Sequence, residues 1–341
     1  MLVSDFDYHL PLELIAQEPE EPRDQAKLLV LKKSGEVLEH DHFFGLPKFL
    51  KAGDVLVFND TKVFKARLLG TIIGKPAVVE VFLLKSINNF QWEVLLKPGR
   101  KLTIGLEVEF AENLRCAVIS KNEDGTAVVE FNQPKESLLQ ITEKIGHVPI
   151  PPYIKKEPTK AEDYQTVYAR EVGSVAAPTA GFHFTPELLE KIKQLGVEIR
   201  FVTLHVGLGT FLPVKTEVIE EHKMHSEWVN VTLETAEAIA QAKKEGRRVI
   251  AVGTTTARTL EGVVATQGAL KPFSGEINIF ITPGWQFKII DGLITNFHLP
   301  KSTLLMLVAA LVGREKILAA YQEAIQKHYR FFSFGDAMLI I

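Results

Sequence analysis

Beyond residue 185 the chain alternates stretches of helical periodicity with short apolar strand-like runs, and that alternation admits few architectures. Helical patterns lie at Pro186–Leu195, Thr235–Lys244, Ala257–Thr266, Ser302–Leu311 and Arg314–His328. Strand patterns lie between them at Glu198–His205, Trp228–Leu233, Arg247–Gly253, Glu276–Ile281 and Phe287–Ile290. Such alternation packs helices on a largely parallel sheet. The earlier run Asp54–Phe58 is apolar almost throughout, as in a strand covered on both faces, and is expected to join that sheet. Pro11–Ala16 reads as a short helix, Lys27–Leu31 as a strand and Ala161–Arg170 as a helix.

Between Phe64 and Glu143 the texture changes to short β-rich runs divided by turn signals, with no convincing long helix. A small antiparallel barrel is the simplest packing for such runs. The exit, His147–Ile154, carries three prolines and forms a stiff connector. The expected fold class is therefore α/β. A discontinuous α/β domain of residues 1–60 and 147–341 carries a small antiparallel β-barrel inserted at 61–146. A length of 341 residues suits two domains, and apolar and charged fractions of 46% and 24% are those of an ordinary globular chain.

Several function classes drop out on composition. Cys116 is the single cysteine, so no intrachain disulfide can form, which fits a reducing compartment. The acidic start Met1–Asp7 is no signal peptide, and the apolar run Leu304–Val312 falls far below the ~20 residues that span a bilayer. A cytoplasmic location is expected. The net charge of −3 rules out a generally basic coat, yet charge is uneven within the barrel segment. Residues 61–105 carry a net +6 and residues 106–145 a net −4. The basic half, with Lys62, Lys65, Arg67, Lys97, Arg100 and Lys101, suits a polyanion such as RNA, and scattered solubilising charge is the bland account. Phe90 and Trp92 would stack bases there or fill the barrel core.

Four turns gather polar residues where strands end or helices begin. Ser174–Thr185 runs small residues into Gly181-Phe182-His183-Phe184 and then a helix start, with Thr185 as N-cap and Pro186 first in the helix. Taken alone, His183 is more often a hydrogen-bonded core histidine than a catalytic one. Thr203–Phe211, Val252–Leu260 and Thr295–Thr303 are the others, and glycines or helix N-termini there favour an anionic ligand group. Familiar fingerprints are missing: neither Gly-x-Gly-x-x-Gly, nor a Walker loop, nor Gly-x-Ser-x-Gly occurs. Cys116 sits in a barrel strand, a poor place for a nucleophile. His222 and His225 have helical spacing beside Glu220, Glu221 and Glu227, but without cysteines or a His-Glu-x-x-His pattern solvated or substrate-facing imidazoles outrank a metal site, and none is assigned. These residues permit a group-transfer enzyme on a nucleotide-like substrate without naming the reaction.

At the same turns the sequence closely resembles the S-adenosylmethionine:tRNA ribosyltransferase-isomerase family of queuosine biosynthesis. The matching stretches are Asp5–Tyr8, Glu21–Asp24, Asn59–Val63, Val175–Phe184, Leu204–Phe211, Met224–Glu227, Val252–Leu260, Leu293–Leu307 and Tyr329–Leu339, in the family's order along nearly the whole chain. Departures are mild: Leu208 replaces a small residue, Thr256-Ala257 stands where Ser-Val is common, and Trp285 where Tyr is common. The resemblance implies an α/β domain with an inserted barrel. It also implies transfer and isomerisation of the ribosyl part of S-adenosylmethionine onto 7-aminomethyl-7-deazaguanine at the tRNA wobble position. The products would be epoxyqueuosine-tRNA, adenine and methionine. S-adenosylmethionine would then be a ribosyl-donating co-substrate, no prosthetic group would be needed, and the enzyme would be expected to work as a monomer away from any membrane.

Roles follow as expectations from that chemistry. His183 and His205 are the acid/base candidates, and Glu227 is a carboxylate base or sulfonium partner. Asp60 would orient the aminomethyl cation. Arg258 with the Gly253–Thr256 backbone would hold the methionine carboxylate, and His298 would be structural or position adenine. Thr179, Gly181, Gly207, Gly209, Thr210, Gly253, Thr254 and Thr255 would complete the substrate site. Two other classes compete: a methyltransferase lacking its usual fingerprint, and a non-catalytic RNA-binding module.

Overall fold

The structure is a computed structural model that describes residues 1–34, 38–151, 153–155, 161–207, 214 and 216–341. The chain lays down β1 (Lys27–Leu31), β2 (Leu38–His42) and β3 (Val55–Asn59), then the short β4 (Thr61–Val63). Next come β5 (Arg67–Ile72), β6 (Val78–Ser86), β7 (Gln91–Lys97), β8 (Glu107–Glu109), β9 (Arg115–Lys121), β10 (Ala127–Phe131) and helix α1 (Lys135–Ile145). Strand β11 (Glu171–Ser174) pairs with β4 in a two-stranded sheet. The remainder is α2 (Pro186–Gln194), β12 (Glu198–Leu204), β13 (Glu227–Val231), α3 (Leu233–Lys244), β14 (Val249–Val252) and α4 (Thr254–Gln267). After these follow β15 (Phe273–Ile277), β16 (Gly292–Asn296), α5 (Thr303–Val312), α6 (Arg314–Gln326) and β17 (Ala337–Ile340).

The chain divides into two compact units. One comprises Met1–Thr61, Pro152–Glu171 and Ala177–Ile341, the other Lys62–Pro151 with Val172–Ala176. The first is a nine-stranded mixed sheet in the order β15-β13-β12-β3-β14-β16-β17-β1-β2. Its centre, β12-β3-β14-β16, is parallel, with Val202 opposite Asn59, Ala251 opposite Val57 and Val252 opposite Ile294. Every residue of β3, β14 and β16 is buried, as helices on both faces of a sheet require. One face packs Phe43, Phe58, Phe184, Leu188, Ile250 and Ile294 into a continuous core. Helix α5 is apolar nearly all round and buries Leu305 through Ala309. Helix α2 starts as its sequence directs: Thr185 Oγ1 accepts from Leu188 N at 3.1 Å, and proline takes the first turn.

The second unit holds a closed barrel in the order β10-β7-β6-β5-β8-β9. Trp92, Val81, Val94, Val118 and Val129 are buried in it, so Trp92 serves the core rather than a base. Cys116 lies buried in β9, where burial pushes its thiol up to about 12 and keeps it protonated.

Four local expectations are corrected. The barrel segment does contain a helix: α1 follows Pro134 and buries only Leu138 and Thr142, a stripe too thin to read in isolation. Phe287–Ile290 is no strand, because the N–H groups of Lys288, Ile289 and Ile290 all donate to the buried Glu261 carboxylate at 2.9 to 3.1 Å. The strand follows it instead, as β16. Ala161–Arg170 keeps only a short 3-10 turn at Ala161–Tyr164, and β15 ends at Ile277 where a strand to Ile281 was expected.

Candidate active site at the carboxyl edge of the sheet

The four parallel strands deliver their C-terminal residues to one edge, the usual ligand side of such sheets. His205 follows β12, Asp60 and Thr61 follow β3, Gly253 and Thr254 follow β14, and Asn296 to His298 end β16. Strand β13 runs antiparallel to β12, so its first residue, Glu227, arrives at the same edge. The 3-10 turn Thr179–His183 packs over it, where a Cβ built on Gly253 would stand 3.8 Å from the Ala180 methyl. Gly253 itself has φ 89°, a conformation that side-chain-bearing residues rarely adopt, and this lets the strand turn directly into α4.

The β3 turn is wired to its neighbours by buried hydrogen bonds. Asn59 Nδ2 donates to the Leu204 carbonyl at 3.0 Å and to Thr255 Oγ1 at 3.3 Å, while its Oδ1 accepts from Leu204 N at 2.9 Å. The Asp60 carboxylate takes Arg170 Nε and Nη2 at 3.0 and 2.6 Å on one oxygen and Thr203 Oγ1 at 2.8 Å on the other. Arg170 also lies 4.5 Å from the centre of the Phe201 ring. His205 pairs its Nδ1 with Thr61 Oγ1 at 2.8 Å and stacks on Trp228 with centroids 4.9 Å apart. That half-buried ring is held in orientation from two directions.

Arg258 comes from the second turn of α4, a helix buried along nearly its whole length. Its Nη1 stands 2.5 Å from Glu227 Oε2, and both side chains are only 5% exposed. Its Nε and Nη2 have no hydrogen-bond partner among the described residues. Those two atoms form the edge that grips a carboxylate elsewhere in the chain: Arg67 holds Glu80 with it, and Arg248 holds Asp54. Thr256 and Thr259 spend their hydroxyls on the Val252 and Thr255 carbonyls.

The histidines divide by burial. His183 lies against the Phe43 ring, and burial with the nearby Arg330 charge pushes its pKa down to about 3. His298 pairs Nε2 with Thr295 Oγ1 at 2.8 Å, and burial also lowers it to about 3. Both rings are neutral at pH 7. Gly181 is a close-packing glycine: an added Cβ would stand 1.9 Å from Tyr168 Oη. Thr179 opens the 3-10 turn and is half-buried, as is Gly207 beyond β12. Gly209 and Thr210 lie outside the described residues. His222 meets Phe280 edge-on at 5.3 Å, and burial lowers its pKa. In the barrel unit Lys62, Lys97, Arg100 and Lys101 are exposed, whereas Arg67 pairs with Glu80 and Lys65 donates to the Glu143 carbonyl.

Comparison with known proteins places this edge in context. The family described as "Queuosine biosynthesis protein" matches residues 3–340. Proteins called S-adenosylmethionine:tRNA ribosyltransferase-isomerase are 53% identical in Desulforamulus reducens, over all of both chains, and 54% identical in Thermoanaerobacter sp., over 99% of each. The chain belongs to this family. A crystal structure of S-adenosylmethionine tRNA ribosyltransferase from Thermotoga maritima is similar too, at 38% identity and a TM-score of 0.58, covering 99% of this chain and 100% of that one. The α/β fold with a closed antiparallel barrel is thus the family's fold.

Sequence patterns missed several side chains that this family member brings to the edge. Asn59, Arg170 and Trp228 were not singled out, although Asn59 sits in a quoted motif. A buried amide beside a sheet edge is a recognisable signal only once the strand order is known.

Proposed function

We propose that the chain is an S-adenosylmethionine:tRNA ribosyltransferase-isomerase. It moves the ribosyl group of S-adenosylmethionine to the aminomethyl nitrogen of 7-aminomethyl-7-deazaguanine at the wobble position of tRNA. It acts as a monomer and releases adenine and methionine. Relatives so named, alike over the full length, support this reading. At the site, one observation carries it: a buried arginine with its carboxylate-gripping edge open, next to the first turn of a buried helix. That pairing suits the α-carboxylate of the methionine part. Glu227 holds the guanidinium in place and puts negative charge where a sulfonium is favoured.

The reaction needs a base for a C5′ hydrogen acidified by the sulfonium, and a proton for departing adenine. His205 is assigned the base, since its ring is oriented by Thr61 and Trp228 and is less buried than His183 or His298. Asp60 takes the aminomethyl cation by exchanging it for Arg170, whose side chain is 58% exposed and returns to water easily. Once the amine has given up its proton it attacks C1′. The ribose oxygen that then displaces methionine closes the epoxide.

The test is turnover of labelled S-adenosylmethionine with tRNA carrying the aminomethyl base. Adenine and methionine should appear together; S-adenosylhomocysteine would mean methyl transfer, and absence of turnover would leave an RNA-binding module. His205→Gln should slow adenine release by roughly 100-fold or more. A wild-type rate in that variant sinks the assignment of the base.

A further inference from the structure

His205 reaches the sheet edge with one ring nitrogen already engaged, since its Nδ1 stands 2.8 Å from Thr61 Oγ1. A single side chain brings the two residues together. Asn59 Oδ1 accepts from Leu204 N, one residue before His205, at 2.9 Å and from Thr61 N at 3.2 Å. Thr61 is wholly buried and its branched Cβ restricts χ1, while His205 N donates to the Trp228 carbonyl at 3.0 Å. The contact between ring and hydroxyl is thus set by the main chain on both sides.

A threonine hydroxyl has one hydrogen to give. Besides Nδ1, Thr61 Oγ1 has the Glu171 carbonyl at 3.5 Å, and a carbonyl can only accept. If the hydroxyl hydrogen went to Nδ1, two buried oxygens would face each other with only lone pairs between them. If it goes to the carbonyl, Oγ1 keeps a lone pair for Nδ1–H and all three groups are satisfied. The adjacent carboxylate does not compete for the ring, because Asp60 is held by Arg170 and Thr203.

We propose that Thr61 is the positioning residue of the His205 base: it accepts the Nδ1–H, passes its own hydrogen to the Glu171 carbonyl and so keeps the ring's lone pair on Nε2. That role rests on the ribosyl-transfer reading, whereas the tautomer is a property of the folded chain alone. When the C5′–H bond breaks, the proton goes to Nε2 and the electron pair stays on C5′ beside the sulfonium. The charge gained by the ring is met by Oγ1 at Nδ1 and by the face of Trp228, with centroids 4.9 Å apart. The relay is neutral, with a hydroxyl and a carbonyl where a carboxylate often stands.

Nitrogen-15 NMR of the full chain labelled at its histidine rings tests this, at about pH 8, where an ordinary imidazole is neutral. The His205 signals are identified by their loss in His205→Gln. Wild type should show hydrogen on Nδ1 and a bare Nε2, the reverse of the tautomer that imidazoles prefer in water. Thr61→Val should lose that preference and slow adenine release at least about tenfold, with KM for S-adenosylmethionine within about threefold of wild type. Thr61→Ser, which keeps the hydroxyl, should restore both the tautomer and most of the rate. Melting curves check that the variants fold, and the wild-type spectrum needs no variant of Thr61. Hydrogen on Nε2 in wild type would overturn the proposal. So would a folded Thr61→Val that releases adenine at the wild-type rate, or a Thr61→Ser as slow as the valine variant. Absence of adenine release from wild type would remove the ribosyl-transfer reading, and with it the role of Thr61, whichever tautomer is found.

Discussion

His298 has its Nε2 against the Thr295 hydroxyl and donates its main-chain N–H to Tyr321 Oη, and burial drives its pKa down to about 3. In the unfolded chain the same ring titrates near 6.5, so between the two values the unfolded state binds the extra proton. Stability from this residue is complete above pH 6.5 and drains away as pH falls toward 3. At pH 5 the loss is about 2 kcal/mol per such histidine, and His183 adds its own share. His298→Gln should therefore melt with a smaller drop between pH 7 and pH 5 than wild type, read from Tm. Equal drops would show that this ring does not set the acid limit. The residue types at these positions were legible in the sequence; their neutrality was not, because it comes from burial by residues far along the chain.

Helix α4 shows how an element with a polar sequence can be buried along most of its length. Its Thr256 and Thr259 turn back on their own carbonyls, Arg258 meets Glu227, and Glu261 collects three main-chain N–H groups of residues 288–290. These polar groups are thereby given partners, while Nε and Nη2 of Arg258 are left open among the described residues. Glu261→Gln weakens a charged acceptor of several bonds and should lower stability by about 2–3 kcal/mol, seen as a fall in the urea midpoint. An unchanged midpoint would mean that the 288–290 loop is held by its apolar contacts alone. The same carboxylate explains why an apolar run that looks like a strand is not one: its donors are already taken when β16 forms. Local pattern found α2, α3, α5 and α6 with small shifts in their borders, since capping and apolar spacing are written within each of them.

At the scale of the whole molecule, the barrel turns a charge difference along the sequence into one between strands. Strands β5, β6 and β7 are neighbours, and so are β8 and β9. Closure keeps the basic first half together in space. We infer that Lys97, Arg100, Lys101 and Lys62 meet the tRNA backbone, while Arg67 and Lys65, already paired, contribute less. Reversing Lys97, Arg100 and Lys101 to Glu should weaken tRNA binding and make its dependence on salt shallower by roughly 2 to 3 in log–log slope. Binding of S-adenosylmethionine to that variant should match wild type, because the site proposed for it, at Arg258 and Glu227, lies in the other unit. An unchanged salt slope would move the RNA face elsewhere. No helix among the described residues is long and apolar enough to cross a membrane.

The sequence by itself determined the element types, the division between alternating α/β segments and barrel, and the turns where chemistry gathers. These depend on periodicity, capping and turn residues that act over a few positions. Only the tertiary structure decided which polar groups are satisfied and which are left over. Asn59 finds Leu204 across 145 residues of chain, and Arg258 finds Glu227 and keeps an open edge among the described residues. The order of strands in the sheet sets those meetings. No local pattern encodes which distant group a buried polar atom will meet.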